Sequence, residues 1–109
     1  MSHTYEIQDF WVDEVRRLAA TIAKKAIVTI AGEDYEYPIT KTVERDGFFK
    51  HYIEVEDEPI GDIERTVLVN ENNIPLAIGE GIIEKGDEGW QFAFKVFVSL
   101  DKKEGELNG

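Results

Sequence analysis

The sequence predicts an α+β domain in which one N-terminal amphipathic helix packs on an antiparallel β-meander of five or six strands. Apolar residues recur with helical spacing before residue 25 and at every second position after it. A chain of 109 residues is the usual size of one domain. We expect residues 1–100 to form that domain and residues 101–109 to be a frayed polar tail.

The helix is predicted from Glu6 to Lys25, where apolar side chains follow one another at steps of three and four residues. They form a single stripe of Ile7, Trp11, Val15, Leu18 and Ile22. Such a stripe normally packs on a core, so we expect Trp11 to be buried. We also expect the helix to cover the sheet.

Strands are predicted from residue 26 onwards, because the apolar period changes to two. Turn residues divide this part of the chain into strands at 26–31, from 35 to the Asp46-Gly47 pair, 48–56, 63–70, 74–84 and 90–100. Pro38 cannot donate a ladder hydrogen bond, which predicts an edge or a bulge at that point.

The Asp46-Gly47 pair predicts a hairpin. A two-residue turn places Val43 opposite Lys50, whereas a three-residue loop places it opposite Phe49. Register follows the buried face. We therefore predict the three-residue loop, with Gly47 in the left-handed conformation.

The last strand has an apolar residue at every second position from Trp90 to Leu100. Strands with one continuous apolar face are normally central, so we expect the helix to pack over this one. The preceding strand has a face of small residues, Ala77, Gly79 and Gly81. That face predicts either that the Phe92 and Phe94 rings pack against it or that the helix approaches most closely there. The pattern does not distinguish the two.

Charge and composition exclude several function classes. The net charge is −11, and all of it lies after residue 30, because the first thirty residues hold four acids and four bases. Direct nucleic-acid binding and binding to anionic membranes both need clustered basic residues. With no cysteine, no apolar run of membrane-spanning length and no signal-peptide pattern, we expect a cytoplasmic protein, or part of a particle assembled in the cytoplasm.

No residue pattern identifies a catalytic, cofactor or metal site, so we expect no enzyme activity and no cofactor. His51 lacks an accompanying nucleophile motif. The acidic residues do not follow a calcium-loop pattern. They indicate a solvated face, or a surface for a basic partner made of Glu54, Glu56, Asp57, Glu58, Asp87 and Glu88.

Two function classes follow. The first is a non-enzymatic acidic protein–protein interaction or assembly module (an accessory protein, regulator, inhibitor or nucleic-acid mimic), which binds a protein partner or forms homo-oligomers. The alternative is a small-molecule-binding or catalytic domain with an aromatic-lined cavity between helix and sheet. Its lining is predicted to be Trp11, Tyr37, His51, Trp90, Phe92 and Phe94.

Overall fold

The computed structural model describes residues 3–103. This part of the chain contains one helix and six strands, which are α1 (Asp9–Ala19), β1 (Lys25–Ile30), β2 (Glu33–Arg45), β3 (Phe48–Val55), β4 (Ile63–Val69), β5 (Pro75–Ile83) and β6 (Trp90–Phe97). The predicted α+β class and antiparallel sheet are confirmed. The predicted tail lies outside the described residues from position 104 onwards.

The strands form one sheet in the order β5-β4-β1-β2-β3-β6. The prediction of a meander is wrong beyond β3, because β4 returns to pair with β1 instead of continuing beside β3. β6 then returns to the far side of β3. The fifth and sixth strands in the chain therefore form the two edges of the sheet.

The β2–β3 hairpin combines the two registers that the sequence allows. The turn has two residues, so Val43 pairs with Lys50, and the predicted three-residue loop is wrong. A bulge between Ile39 and Lys41 then shifts the register and places Ile39 opposite Ile53, the pairing that the longer loop requires. Gly47 is left-handed as predicted, with φ of +84°.

The bulge explains how β2 serves two neighbours. Its first half pairs with β1 as far as Pro38, and its second half pairs with β3 from Ile39 onwards. The bulge predicted near Pro38 is confirmed. Pro38 itself pairs with β1 alone, although β2 as a whole lies between β1 and β3 in the strand order. Bulges increase local twist, which fits the curled shape of the sheet.

The core lies on the concave face of this curled sheet. Its buried side chains come from β1, β3 and β4, and partly buried residues of β5 and β6 complete it; the buried cluster is Ala26, Val28, Ile30, Ile53, Val55, Ile63 and Leu68. Because the two edge strands pack against the same cluster, the sheet forms a half-barrel with one open side.

The helix does not cover the sheet as predicted. It spans Asp9–Ala19 and buries none of its residues. Trp11 is 59% exposed and Leu18 is 61% exposed, so the predicted stripe faces solvent for much of its length. The half-barrel supplies its own core from the curled sheet, which removes the need for a helical lid.

The predicted central position of the last strand is also wrong. β6 pairs with β3 along its whole length, and no strand of the described part of the chain lies on its other side. Its alternate residues Phe92, Phe94 and Val96 point into the half-barrel and are only partly buried. Curling of the sheet, instead of a second neighbour, gives this apolar face its cover.

Candidate functional site: the seam between the two edge strands

The open side of the half-barrel is a gap between β5 and β6, which we call the seam. Cα atoms of these two strands stay more than 8 Å apart along nearly all of their length, whereas paired antiparallel strands have Cα atoms about 4.5–5.5 Å apart. The seam contains a recess of about 240 Å³ lined by Ile63, Thr66, Gly79, Glu80, Gly81, Ile82, Ile83, Phe92 and Phe94.

The small face of β5 lies beside the aromatic rings of β6 in this recess. Gly79 and Gly81 line it together with Phe92 and Phe94. The two rings stack with their centroids 6.4 Å apart. Of the two alternatives predicted for the small residues, the structure therefore favours the one in which they lie beside the aromatic rings of β6.

β6 presents a regular backbone edge to the seam. The Val98 amide donates to the Gly47 carbonyl at 2.9 Å, which points it toward the β3 side. Backbone groups alternate in direction along a strand. The N–H groups of Gln91, Ala93, Lys95 and Phe97 therefore point away from β3, toward the open edge.

β5 is a less regular edge. Its pairing with β4 shifts between Ile63 and Arg65, and Gly81 has φ of +117° at this irregularity. A left-handed glycine in a bulge interrupts the row of edge hydrogen-bonding groups. β6 has no such irregularity in its pairing with β3. Of the two edges, β6 is therefore better suited to pair with another strand.

A second recess, which we call the His51 groove, lies where β5 begins and β6 ends. Its volume is about 200 Å³, and apolar side chains form most of its lining, which comprises Ala19, Ile22, Ala23, Phe49, His51, Leu68, Leu76, Ala77 and Val96. His51 is the polar residue of this set and is 1% exposed. The segment after α1 contributes Ile22 and Ala23 to the rim.

His51 is held through one of its two ring nitrogens. Thr42 Oγ1 lies 2.8 Å from Nδ1, and the Phe49 ring packs against the imidazole edge to face at a centroid distance of 5.0 Å. Nε2 is buried without a hydrogen-bond partner among residues 3–103. Burial lowers the pKa of His51, which keeps the imidazole neutral.

The predicted acidic residues gather at the opposite end of the seam. The β5–β6 turn is joined to the loop after β3 by a hydrogen bond from the Gly61 amide to the Gly86 carbonyl, 2.9 Å long. This brings Asp87 and Glu88 near Asp57. The structure therefore unites two segments that are thirty residues apart in the chain, and all six predicted acidic residues are exposed.

Lys85 holds these two segments together. Its ammonium group donates to the carbonyls of Asp57 at 2.8 Å and Pro59 at 2.7 Å, and the residue is only 2% exposed. Nothing in the sequence marks Lys85 for this role, since a lysine in a polar turn is normally solvated. Its burial leaves the acidic end without an available basic neighbour in this turn.

The predicted cavity residues do not form one site. Phe92 and Phe94 line the recess of the seam, and His51 lines the groove. Trp90 instead lines a shallow recess with Glu54 and Glu56, and Tyr37 packs against the core from β2. Burial, followed by the nearby Glu56 carboxylate, raises the pKa of Tyr37. Trp11 lines none of these recesses.

Sequence reasoning missed the exposed apolar side chains of β5, which are Leu76, Ile78 and Ile82. These side chains alternate along the strand with the small residues. The spacing of Leu76 and Ile78 around Ala77 is the sequence signal that could have identified them. In the structure these side chains are 45–67% exposed; Ile82 lines the recess of the seam and Leu76 lines the His51 groove.

Residues 3–103 contain neither a candidate metal-binding cluster nor a membrane-spanning helix. No three histidine or acidic side chains between residues 3 and 103 lie close enough together to hold a metal ion. In the same range no helix has the length and hydropathy needed to cross a bilayer.

Comparison with known proteins assigns this chain to no group. No protein-family model, no curated protein and no solved structure matches it.

Proposed function

We propose that this chain is a non-enzymatic interaction module that docks a protein partner at the seam and the apolar surface beside it. One observation carries the proposal: β6, which has the most continuous apolar face in the sequence, is an edge strand with no second partner among residues 3–103. Natural proteins normally blunt or cover such an edge. A partner that covers β6 would give it the central position that its residues are suited to.

The exposed apolar residues support the same proposal. Large side chains on α1 and β5 are more than 40% exposed, among them Phe10, Trp11, Leu18, Ile78 and Ile82. Single exposed apolar residues are ordinary, but concentrations of them mark interaction sites. The acidic end of the seam adds a preference for a partner with basic residues.

A matched pair of substitutions tests this function. Ile82 lines the seam and is 67% exposed, while Ile60 lies in the loop after β3 and is 62% exposed. Both can be replaced by glutamine at little cost in stability, because neither is buried. We expect wild type and Ile60→Gln to recover the same stoichiometric partner from native extract, and Ile82→Gln to recover about tenfold less of it.

Recovery of a partner in equal amounts by all three proteins would contradict docking at the seam. A chain that remains a free monomer in its native extract would contradict the interaction function as a whole. Added DNA identifies partners that normally bind nucleic acid, because it competes with this chain for them. The complexes of such partners with this chain should also weaken steeply with salt.

The unpartnered Nε2 of His51 favours a second function, which is binding of a small neutral molecule in the His51 groove. Buried polar atoms without a partner are rare in folded proteins. An apolar recess with a single polar group is the usual form of a small-ligand site. A ring-shaped molecule with one hydroxyl group would place its apolar body against Leu68 and Val96 and its hydroxyl group at Nε2.

Phenol is a suitable probe for this second function. Binding in the groove predicts that phenol shifts the His51 ring-nitrogen resonances of the wild-type protein and leaves those of exposed His3 unchanged. Unchanged His51 resonances up to the solubility limit of phenol would exclude this class of ligand.

A further inference from the structure

Building on the proposed function, we infer that the partner contributes an extended segment that enters the seam and pairs with β6 as an added strand. The segment alternates apolar with basic or uncharged polar residues. This mode of recognition obtains affinity from backbone hydrogen bonds and specificity from alternate side chains.

The seam is too wide for its two strands to pair directly with each other. Neighbouring strands lie about 4.7–4.9 Å apart, so one strand between two others needs a gap of roughly 9–10 Å. The Cα atoms of β5 and β6 are more than 8 Å apart along nearly all of their length. This distance exceeds the Cα spacing of directly paired strands. The recess of about 240 Å³ in the seam lies in this gap.

Hydrogen bonding favours β6 as the paired edge. The N–H groups of Gln91, Ala93, Lys95 and Phe97 face the gap, as the alternation from Val98 requires. β5 instead carries the bulge at Gly81. All strand pairs in this sheet are antiparallel, and an added strand can be antiparallel to only one of the two edges. We infer that it is antiparallel to β6.

The lining of the seam determines which side chains the segment needs. Inward positions meet Phe92, Phe94 and Ile83, which require apolar residues. A position above the His51 groove would bring a hydroxyl side chain within reach of the unpartnered Nε2.

Charge determines the outward positions. Between residues 70 and 94 the chain holds five acids and one base, and that base is Lys85, which is buried and bonded to two carbonyls. Toward the acidic end of the seam, outward lysine or arginine side chains on the added strand would therefore meet acidic neighbours such as Glu80, whereas Lys50 and Lys95 lie opposite each other nearer the other end of β6. A second copy of this chain is a poorer occupant, because it carries a net charge of −11 itself.

Ala93 offers a selective test. Its N–H group faces the gap and its side chain is exposed, so Ala93→Pro removes one open donor while leaving the β3–β6 hydrogen bonds intact. Ala93→Val is the matched control, because it adds similar bulk and keeps the donor. The probe is an acetylated peptide that alternates lysine with valine over the length of β6.

We expect the probe to bind wild type and Ala93→Val equally and to bind Ala93→Pro about tenfold more weakly, a loss of one edge hydrogen bond and its neighbours. A glutamate–valine peptide and a lysine–valine peptide whose lysine residues are N-methylated on the backbone should both bind more weakly to wild type, because the outward lysines are the residues whose N–H groups face β6. The N-methylated peptide keeps the test valid if Ala93→Pro fails to fold, because it removes donors from the probe instead of the protein.

Equal binding to Ala93→Pro, or no binding of the probe to wild type, would overturn strand addition. Concentration-dependent dimerisation that Ala93→Pro abolishes would assign the edge to a second copy and overturn the partner segment. A native partner that is lost with Ile82→Gln but retained with Ala93→Pro would sustain the interaction function while refuting this mode of binding.

Discussion

His51 combines almost complete burial with a single hydrogen bond. Its Nδ1 meets Thr42 on the neighbouring strand, and this contact depends on the two-residue turn, because the longer loop would place Lys41 opposite His51 instead. The bulge after Ile39 lies on the other side of that pair. The local register therefore decides that a hydroxyl group, and not an ammonium group, faces the imidazole.

The buried imidazole makes stability depend on pH. Burial lowers the pKa of His51 in the folded chain, so as pH falls through about 6.5 the unfolded chain binds the proton first. The stabilisation is complete above that pH and is lost below it. Between about pH 7.5 and 5.5 we expect wild type to lose more unfolding free energy than His51→Gln, by at most about 1.4 kcal/mol per pH unit.

Urea unfolding at the two pH values measures this difference. His3→Gln serves as the control, because His3 is exposed, and it should retain the pH dependence of wild type. Equal pH dependence of wild type and His51→Gln would show that the histidine is not buried in a neutral form.

Lys85 provides a second residue-level prediction. Lys85→Met should lower the free energy of unfolding by about 2–3 kcal/mol, because it removes two charge-assisted hydrogen bonds that join the loop after β3 to the β5–β6 turn. Lys24→Met, at an exposed position, should change stability by less than about 0.5 kcal/mol. Similar stabilities of the two variants in urea would mean that Lys85 is solvated.

At the scale of elements, the helix has an unusual place in the fold. Its side-chain pairs are local, as in the salt bridge between Arg16 and Asp13 at 3.0 Å, and its apolar stripe is largely in water. Helices of about eleven residues are marginal without tertiary packing. A partner that covers Trp11 and Leu18 would stabilise α1 as well as bury apolar area.

Substitution on the helix and in the sheet separates these roles. Trp11→Ala should cost less than about 1 kcal/mol, because more than half of the side chain is already exposed. Ile53→Ala should cost about 2–5 kcal/mol, since Ile53 is fully buried in the core. A large loss for Trp11→Ala in chemical unfolding would show that the helix covers the core after all.

The strands were predictable from the sequence because alternation is a local property. The six segments, the left-handed Gly47 and the irregularity near Pro38 all follow from residue types at known spacings. The hairpin register was not predictable from the sequence, because each of the two turn lengths satisfies part of the alternation pattern. Only the bulge between Ile39 and Lys41 reconciles them. A bulge of this kind is decided by contacts on both edges of β2.

At the scale of the whole molecule, the chain is elongated. It measures 65 × 24 × 22 Å with a radius of gyration of 18.5 Å, whereas a compact domain of this length would have about 13 Å. All six strands of the half-barrel contribute buried or partly buried residues to one core. The two edge strands nevertheless stay open to one side. An elongated domain with open edges and unburied apolar residues is suited to assembly with other chains.

The candidate site was only partly predictable because it depends on strand order. The acidic residues, His51 and the two phenylalanines were visible in the sequence. Their division among an acidic end, the His51 groove and the seam follows from β4 crossing back to β1, a choice that alternation does not encode. The exposed edge position of β6 has the same origin.

Amide hydrogen exchange along β6 in the isolated protein tests the open half-barrel most directly. An unpaired edge predicts slow exchange at Phe92, Phe94 and Val96, whose N–H groups face β3, and fast exchange at Gln91, Ala93 and Lys95, whose N–H groups face the seam. Uniformly slow exchange at all six positions would mean that β6 has a strand on each side, and would contradict the seam.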